Sequence, residues 1–99
     1  MKVLCINGSR SDWGYFKPVL KEISKKDSNE YFLLHTNMAP LKKYGNLSKQ
    51  CQDEGYPPNY TIYSSFDGDT YSSQTKMVGS LISSISDVIL NNDFDWILL

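Results

Sequence analysis

The segment Val3-Leu-Cys-Ile-Asn-Gly-Ser-Arg-Ser-Asp-Trp-Gly-Tyr-Phe-Lys-Pro18 holds the residues best suited to chemistry. An apolar run enters a glycine turn, an arginine follows, and a helical pattern begins. Arg10 is planar and permanently charged, so its fork matches a pair of diphosphate oxygens better than a lysine would. A helix starting at such a turn adds unpaired backbone N–H groups to that charge. The segment therefore reads as a phosphate-binding edge, and a phosphorylated or nucleotide ligand is the expected occupant. Gly14 lacks a Cβ and would let backbone approach that ligand closely. Asp12 is expected to N-cap the helix, and Gly8 to shape the turn.

The other polar candidates are weaker. His35, the one histidine, ends a second apolar run and titrates near neutrality, yet no partner for it is visible and a structural role is expected. Asp67 and Asp69 flank Gly68 without the spacing or terminal glutamate of a calcium loop, which leaves them loop and capping roles. Cys5 and Cys51 stand far apart, outside any Cys-x-x-Cys pattern, so neither a zinc site nor a disulfide framework is indicated. Cys5 reads as a core residue.

Positioning these groups requires the pattern on either side of them. Val3 to Ile6 is an apolar run without alternation, as expected of a strand buried on both faces of a parallel sheet. Phe16, Val19, Leu20 and Ile23 recur at helical spacing, and Pro18 implies a helix that begins late or is kinked. Tyr31 to Leu34 predicts a second strand. Leu41 to Gln52 predicts a short polar helix interrupted at Gly45-Asn46, and Tyr60 to Tyr63 a third strand. Asp69 or Thr70 is available to cap a long helix whose buried stripe is Val78, Leu81, Ile82, Ile85, Val88 and Ile89. Phe94 to Leu99 predicts a fourth strand. The βαβαβαβ order favours an α/β sandwich around a mostly parallel sheet, with right-handed crossovers and strand order 3-2-1-4. A chain ending on an apolar strand suggests the amino-terminal piece of a longer protein.

Composition narrows the partners. The 99 residues are 40% hydrophobic and 21% charged, with a formal charge of −1 and a pI near 5.7. Nucleic-acid binding through counterion release needs a clustered basic surface; the pairs Lys25-Lys26 and Lys42-Lys43 are too short for one and read as solvated faces. No run approaches the roughly 20 apolar residues of a membrane span, and Met1-Lys2 leads straight into a strand rather than into a signal sequence. A cytoplasmic location is expected.

The same residues carry a family resemblance. Ile6 to Pro18 resembles the opening of UDP-N-acetylglucosamine 2-epimerases, the hydrolysing type above all, which begin with a strand, a Gly-Thr/Ser-Arg-x-Asp-Tyr/Phe-Gly turn and a helix start. Met38, Tyr44-Gly45-Asn46 and Gly55-Tyr56 resemble the family's next segments. The helix with Met77, Gly79 and Leu81, and the ending Asp95-Trp-Ile-Leu-Leu99, resemble its third helix and fourth strand. Ala39 departs from the pattern, since many hydrolysing members have a histidine after the methionine that Met38 resembles.

The resemblance implies a Rossmann-like half-domain of a GT-B fold, with Arg10 and Gly14 against the substrate's nucleotide part. It implies an intact enzyme that eliminates UDP from UDP-N-acetylglucosamine and adds water, giving N-acetylmannosamine and UDP on a route to sialic-acid-type sugars. No metal or cofactor is implied, and a homo-oligomer is compatible with it. The catalytic acids and a catalytic histidine would lie beyond Leu99, so the 99 residues alone are expected to be inactive. Two alternatives stay open. One is a non-hydrolysing epimerase or GT-B glycosyltransferase, although Ser11-Asp-Trp-Gly14 differs from the usual Gly-Thr-Arg-Pro-Glu of non-hydrolysing epimerases. The other is a non-catalytic nucleotide-binding module.

Overall fold

Residues 1–65 and 70–99 are described by a computed structural model. Four strands, β1 (Lys2–Asn7), β2 (Glu30–His35), β3 (Tyr60–Thr61) and β4 (Trp96–Leu98), alternate with three helices, α1 (Arg10–Ile23), α2 (Leu47–Asp53) and α3 (Tyr71–Leu90). All pairings are parallel, and the order is β3-β2-β1-β4, as predicted. The central pair runs in register from Lys2 opposite Glu30 to Asn7 opposite His35. Both strands therefore deliver their last residues to one edge.

The continuous apolar run of β1 has the cause its pattern implied. Val3 and Cys5 face one side of the sheet, where they join Leu33, Trp13, Phe16 and Leu20 of α1, and Leu47 and Cys51 of α2. Leu4 and Leu34, on the alternate positions, are also fully buried. Parallel connections are right-handed as a rule, and with α1 and α2 packed on the first face that rule assigns α3, which returns from β3 to β4, to the second, as in a three-layer arrangement.

Two helices differ from expectation. Pro18 lies inside α1 without delaying it, because the helix already starts at Arg10 behind the N-cap Ser9. In α3 none of the 20 residues is fully buried. Met77, Leu81, Ile85 and Val88 are half-buried, whereas Val78, Ile82 and Ile89 of the predicted stripe are exposed. The apolar surface of this helix is wider than the strip the four strands cover, so one row of it faces inward and the adjacent row does not. The expected cap is present: the Thr70 hydroxyl accepts from the Ser73 N–H, and the Ser73 hydroxyl accepts from the Thr70 N–H. The readings of Asp67 and Asp69 lie outside the described residues.

Candidate functional site

The carboxyl edge of β1 and β2 is stitched by the backbone. Thr36 N donates to Asn7 O at 3.1 Å and Met38 N to Gly8 O at 3.1 Å, which holds the two post-strand turns side by side. The Thr36 and Ser64 hydroxyls are 2.7 Å apart, and Ser65 Oγ donates to Asn37 O at 2.9 Å, tying the segment after β3 to the same edge. Asn37 takes a left-handed backbone, φ 55°. The edge is thus polar and hydrogen-bonded across its three turns.

Arg10 stands on this edge as the first residue of α1. The Ser9 hydroxyl accepts from Asp12 N at 3.4 Å, so Ser9, not Asp12, is the N-cap. Geometry decides between them: Ser9 has the extended backbone of a cap (φ −158°, ψ 167°), while Asp12 lies in the first turn, where its charge still complements the helix dipole. The side chain of Arg10 is exposed, and its Nη2 donates to the carbonyl of Gly45 at 3.2 Å. Among the described residues no ion pair joins Arg10 to Asp12 or any other carboxylate. One of its five N–H donors is used by that carbonyl, and the fork stays exposed at the helix start.

Gly45 reaches Arg10 because of a break that the sequence marked. A short 3-10 turn, Lys42–Tyr44, ends at Gly45 in the left-handed region (φ 91°, ψ 5°), and Asn46, also left-handed, caps α2 by accepting from Lys49 N. Two left-handed residues in succession reverse the chain sharply, which turns the Gly45 carbonyl toward α1.

Gly14 falls four residues after Arg10, on the same exposed face of α1. It is not at the helix start, and no atom lies within 4 Å of where its Cβ would be. Nothing in the chain itself requires a glycine there. Pro18, four residues further on, has no N–H to offer the Gly14 carbonyl, so this face of α1 carries both an open backbone and an acceptor without its helical partner. Gly8 has ordinary surroundings, with Asn37 Cβ 3.6 Å from an added Cβ, and its turn does not depend on the glycine. A groove of about 320 Å³ lies between α1 and the end of β4, lined by Asp12, Tyr15, Phe16, Val19, Leu98 and Leu99.

His35 has a structural place. It is fully buried, with Nδ1 2.7 Å from Ser48 Oγ and Nε2 3.5 Å from Asn7 Nδ2. Burial pushes its pKa down to about 4, so the ring is neutral at physiological pH and bridges β1, β2 and the first turn of α2. Ala39, at the position where the family pattern has a histidine, is packed in the core. Among the described residues no cluster of three or more metal-ligating side chains occurs, and no helix is long and apolar enough to cross a membrane. The role of Gly45 and the Asn7–His35–Ser48 network were not anticipated. For Gly45 the Gly-Asn interruption of a polar helix was the available signal; for the network, nothing in the spacing of three residues on separate elements reveals it.

An open parallel α/β sheet with an arginine and a helix start on its carboxyl edge defines the class: a Rossmann-like α/β unit. The comparisons with known proteins point more narrowly. The chain is 32% identical over 88 residues to the UDP-N-acetylglucosamine 2-epimerase of Neisseria meningitidis serogroup B, a match that takes in 89% of this chain and 23% of that protein. A crystal structure of a UDP-N-acetylglucosamine 2-epimerase superposes on the whole chain with a TM-score of 0.80 at 13% identity, over 26% of its own length. No family model matches. The chain thus resembles UDP-N-acetylglucosamine 2-epimerases in sequence and shares their fold, while spanning about a quarter of the length of both relatives.

Proposed function

We propose that these 99 residues form the amino-terminal portion of the first Rossmann-like domain of a hydrolysing UDP-N-acetylglucosamine 2-epimerase with a GT-B fold. In this reading the intact protein is a cytoplasmic enzyme acting on a nucleotide sugar, and it needs neither nucleic acid nor membrane. The observation that carries the reading is the Arg10 guanidinium at the first residue of α1, exposed on the carboxyl edge and held by a carbonyl rather than by a carboxylate. The choice of sugar follows the names of the relatives.

The chemistry asked of this edge is to hold a leaving diphosphate. As the C1–O bond breaks and the C2 proton departs, negative charge builds on UDP. Arg10 and the first N–H groups of α1 are fixed donors for that charge, and fixed donors need no reorganisation as it develops. Gly14 would let the nucleotide lie against the helix. The unsaturated sugar then takes up water to give N-acetylmannosamine, with the proton-moving groups supplied from outside these residues.

The test is to incubate the intact protein with UDP-N-acetylglucosamine and identify the products. N-acetylmannosamine and UDP in equal amounts are expected. Formation of UDP-N-acetylmannosamine would assign the non-hydrolysing reaction instead, and transfer of the sugar to an added acceptor would assign a glycosyltransferase.

A further inference from the structure

We infer that Gly45 is the positioning residue for Arg10: its missing side chain makes room for the guanidinium, and its carbonyl holds the guanidinium on the edge. The inference rests on the reading of Arg10 as the diphosphate-binding residue. Two independent observations meet at Gly45. Its backbone is left-handed, φ 91°, a conformation that a residue with a Cβ adopts at a cost. A Cβ built there would also overlap Arg10 Nη2 and stand 3.3 Å from Arg10 Cζ. The two demands have different consequences. The backbone strain would be felt by the fold, whereas the overlap is relieved cheaply by swinging the end of a flexible side chain, and that side chain is the proposed ligand-binding one. A substitution at Gly45 should therefore move Arg10 more than it unfolds the protein.

The support behind Gly45 is rigid. Ser48 lies three residues on, in the first turn of α2, and is anchored by its Oγ 2.7 Å from buried His35 Nδ1 and by its N–H to Ala39 O at 3.3 Å. Asn46 adds the cap of α2. The loop cannot retreat from an added methyl without disturbing these bonds, so the guanidinium gives way instead. An exposed arginine loses rotamer entropy when a ligand fixes it. Holding it in advance through Gly45 O removes part of that cost before the diphosphate arrives.

The protein supplies its own control. Gly55 has the same φ of 91° but nothing within 4 Å of its would-be Cβ. Gly55→Ala therefore carries the left-handed strain without the overlap. Gly45→Asn adds a second probe, because asparagine tolerates the left-handed region better than alanine yet still brings a Cβ against Arg10.

The experiment is calorimetric titration of UDP into the intact protein and its Gly45→Ala, Gly45→Asn, Gly55→Ala, Arg10→Ala and Arg10→Ala/Gly45→Ala variants, with a thermal melt of each. Both Gly45 variants are expected to bind UDP about tenfold more weakly, the scale of one charge-assisted hydrogen bond. Gly55→Ala should bind normally, with a loss of melting temperature like that of Gly45→Ala. In the Arg10→Ala background the Gly45→Ala change should have no further effect on affinity, because the residue through which it acts is gone. Normal UDP binding by Gly45→Asn, or additive losses in the double variant, would overturn the positioning role while leaving Arg10 in the site. Normal UDP binding by Arg10→Ala would overturn the reading beneath it.

Discussion

His35 shows how burial sets the chemistry of a single residue. Its ring has no exposed surface, and its pKa falls from 6.5 to about 4. Between those values the unfolded chain binds a proton that the folded chain does not, so stability rises with pH across this window. The contribution is complete above about pH 6.5 and is lost as the pH falls toward 4; from pH 7 to pH 5 the loss is about 2 kcal/mol. Urea unfolding of the intact protein at both pH values should show it. A His35→Gln variant, less stable at pH 7 for want of the Ser48 bond, should lose much less on acidification over the same range. Lys17 holds the Glu54 carboxyl below the usual carboxylate range; such groups lose their stabilising contribution as the pH falls through that range, and the His35→Gln variant subtracts whatever part of this reaches pH 5. The thiols move the other way: burial raises Cys5 to about 11 and Cys51 to about 12. Neither should be alkylated by iodoacetamide in the folded protein at pH 8, and both should be once it is unfolded.

On the scale of elements, α1 carries an internal contradiction. Pro18 removes the N–H that would bond Gly14 O and sets its ring against that same carbonyl, and residue 14 has no side chain. Pro18 is exposed, so replacing it opens no cavity. Pro18→Ala should therefore stabilise the protein by about 1–2 kcal/mol, the restored helix bond outweighing the greater freedom of the unfolded chain. A higher urea midpoint with unchanged UDP affinity is the expected result. A lower midpoint would mean that the proline is better accommodated than its position in the helix implies. The parts of the fold that could be read from the sequence are those where one pattern dominates: the unbroken apolar run of β1, the strand–helix alternation and the Thr70 cap. The start of α1 was obscured because Pro18 argued locally against a helix that the Ser9 cap and the Trp13, Phe16 and Leu20 face sustain. The exposed row of α3 was obscured because hydropathy records that Val78 and Ile82 are apolar, not what lies opposite them. The placement of Arg10 at a helix start on the carboxyl edge was legible because turn chemistry is local. Gly45 was not, since its partner lies 35 residues away in the chain.

The whole molecule presents apolar surface that a monomer of this size would ordinarily cover. Tyr71, Val78, Ile82, Trp96 and Leu99 are between 58% and 91% exposed, and β4 leaves one edge unpaired. The isolated 99-residue chain should therefore self-associate, with a sedimentation profile that shifts with concentration. It should also release no UDP from UDP-N-acetylglucosamine above a protein-free control, because one edge can hold a diphosphate without supplying the groups that move protons. Measurable turnover by the isolated chain would contradict this division of labour. The central claim is that the carboxyl edge binds the diphosphate through Arg10, and calorimetric titration of UDP into the intact protein and its Arg10→Ala and Arg10→Lys variants tests it most directly. The account predicts an affinity about ten- to a hundredfold weaker for Arg10→Ala at an unchanged melting temperature, with Arg10→Lys recovering part of the loss because it keeps the charge without the fork. An alanine variant that binds UDP as tightly as the parent would contradict it.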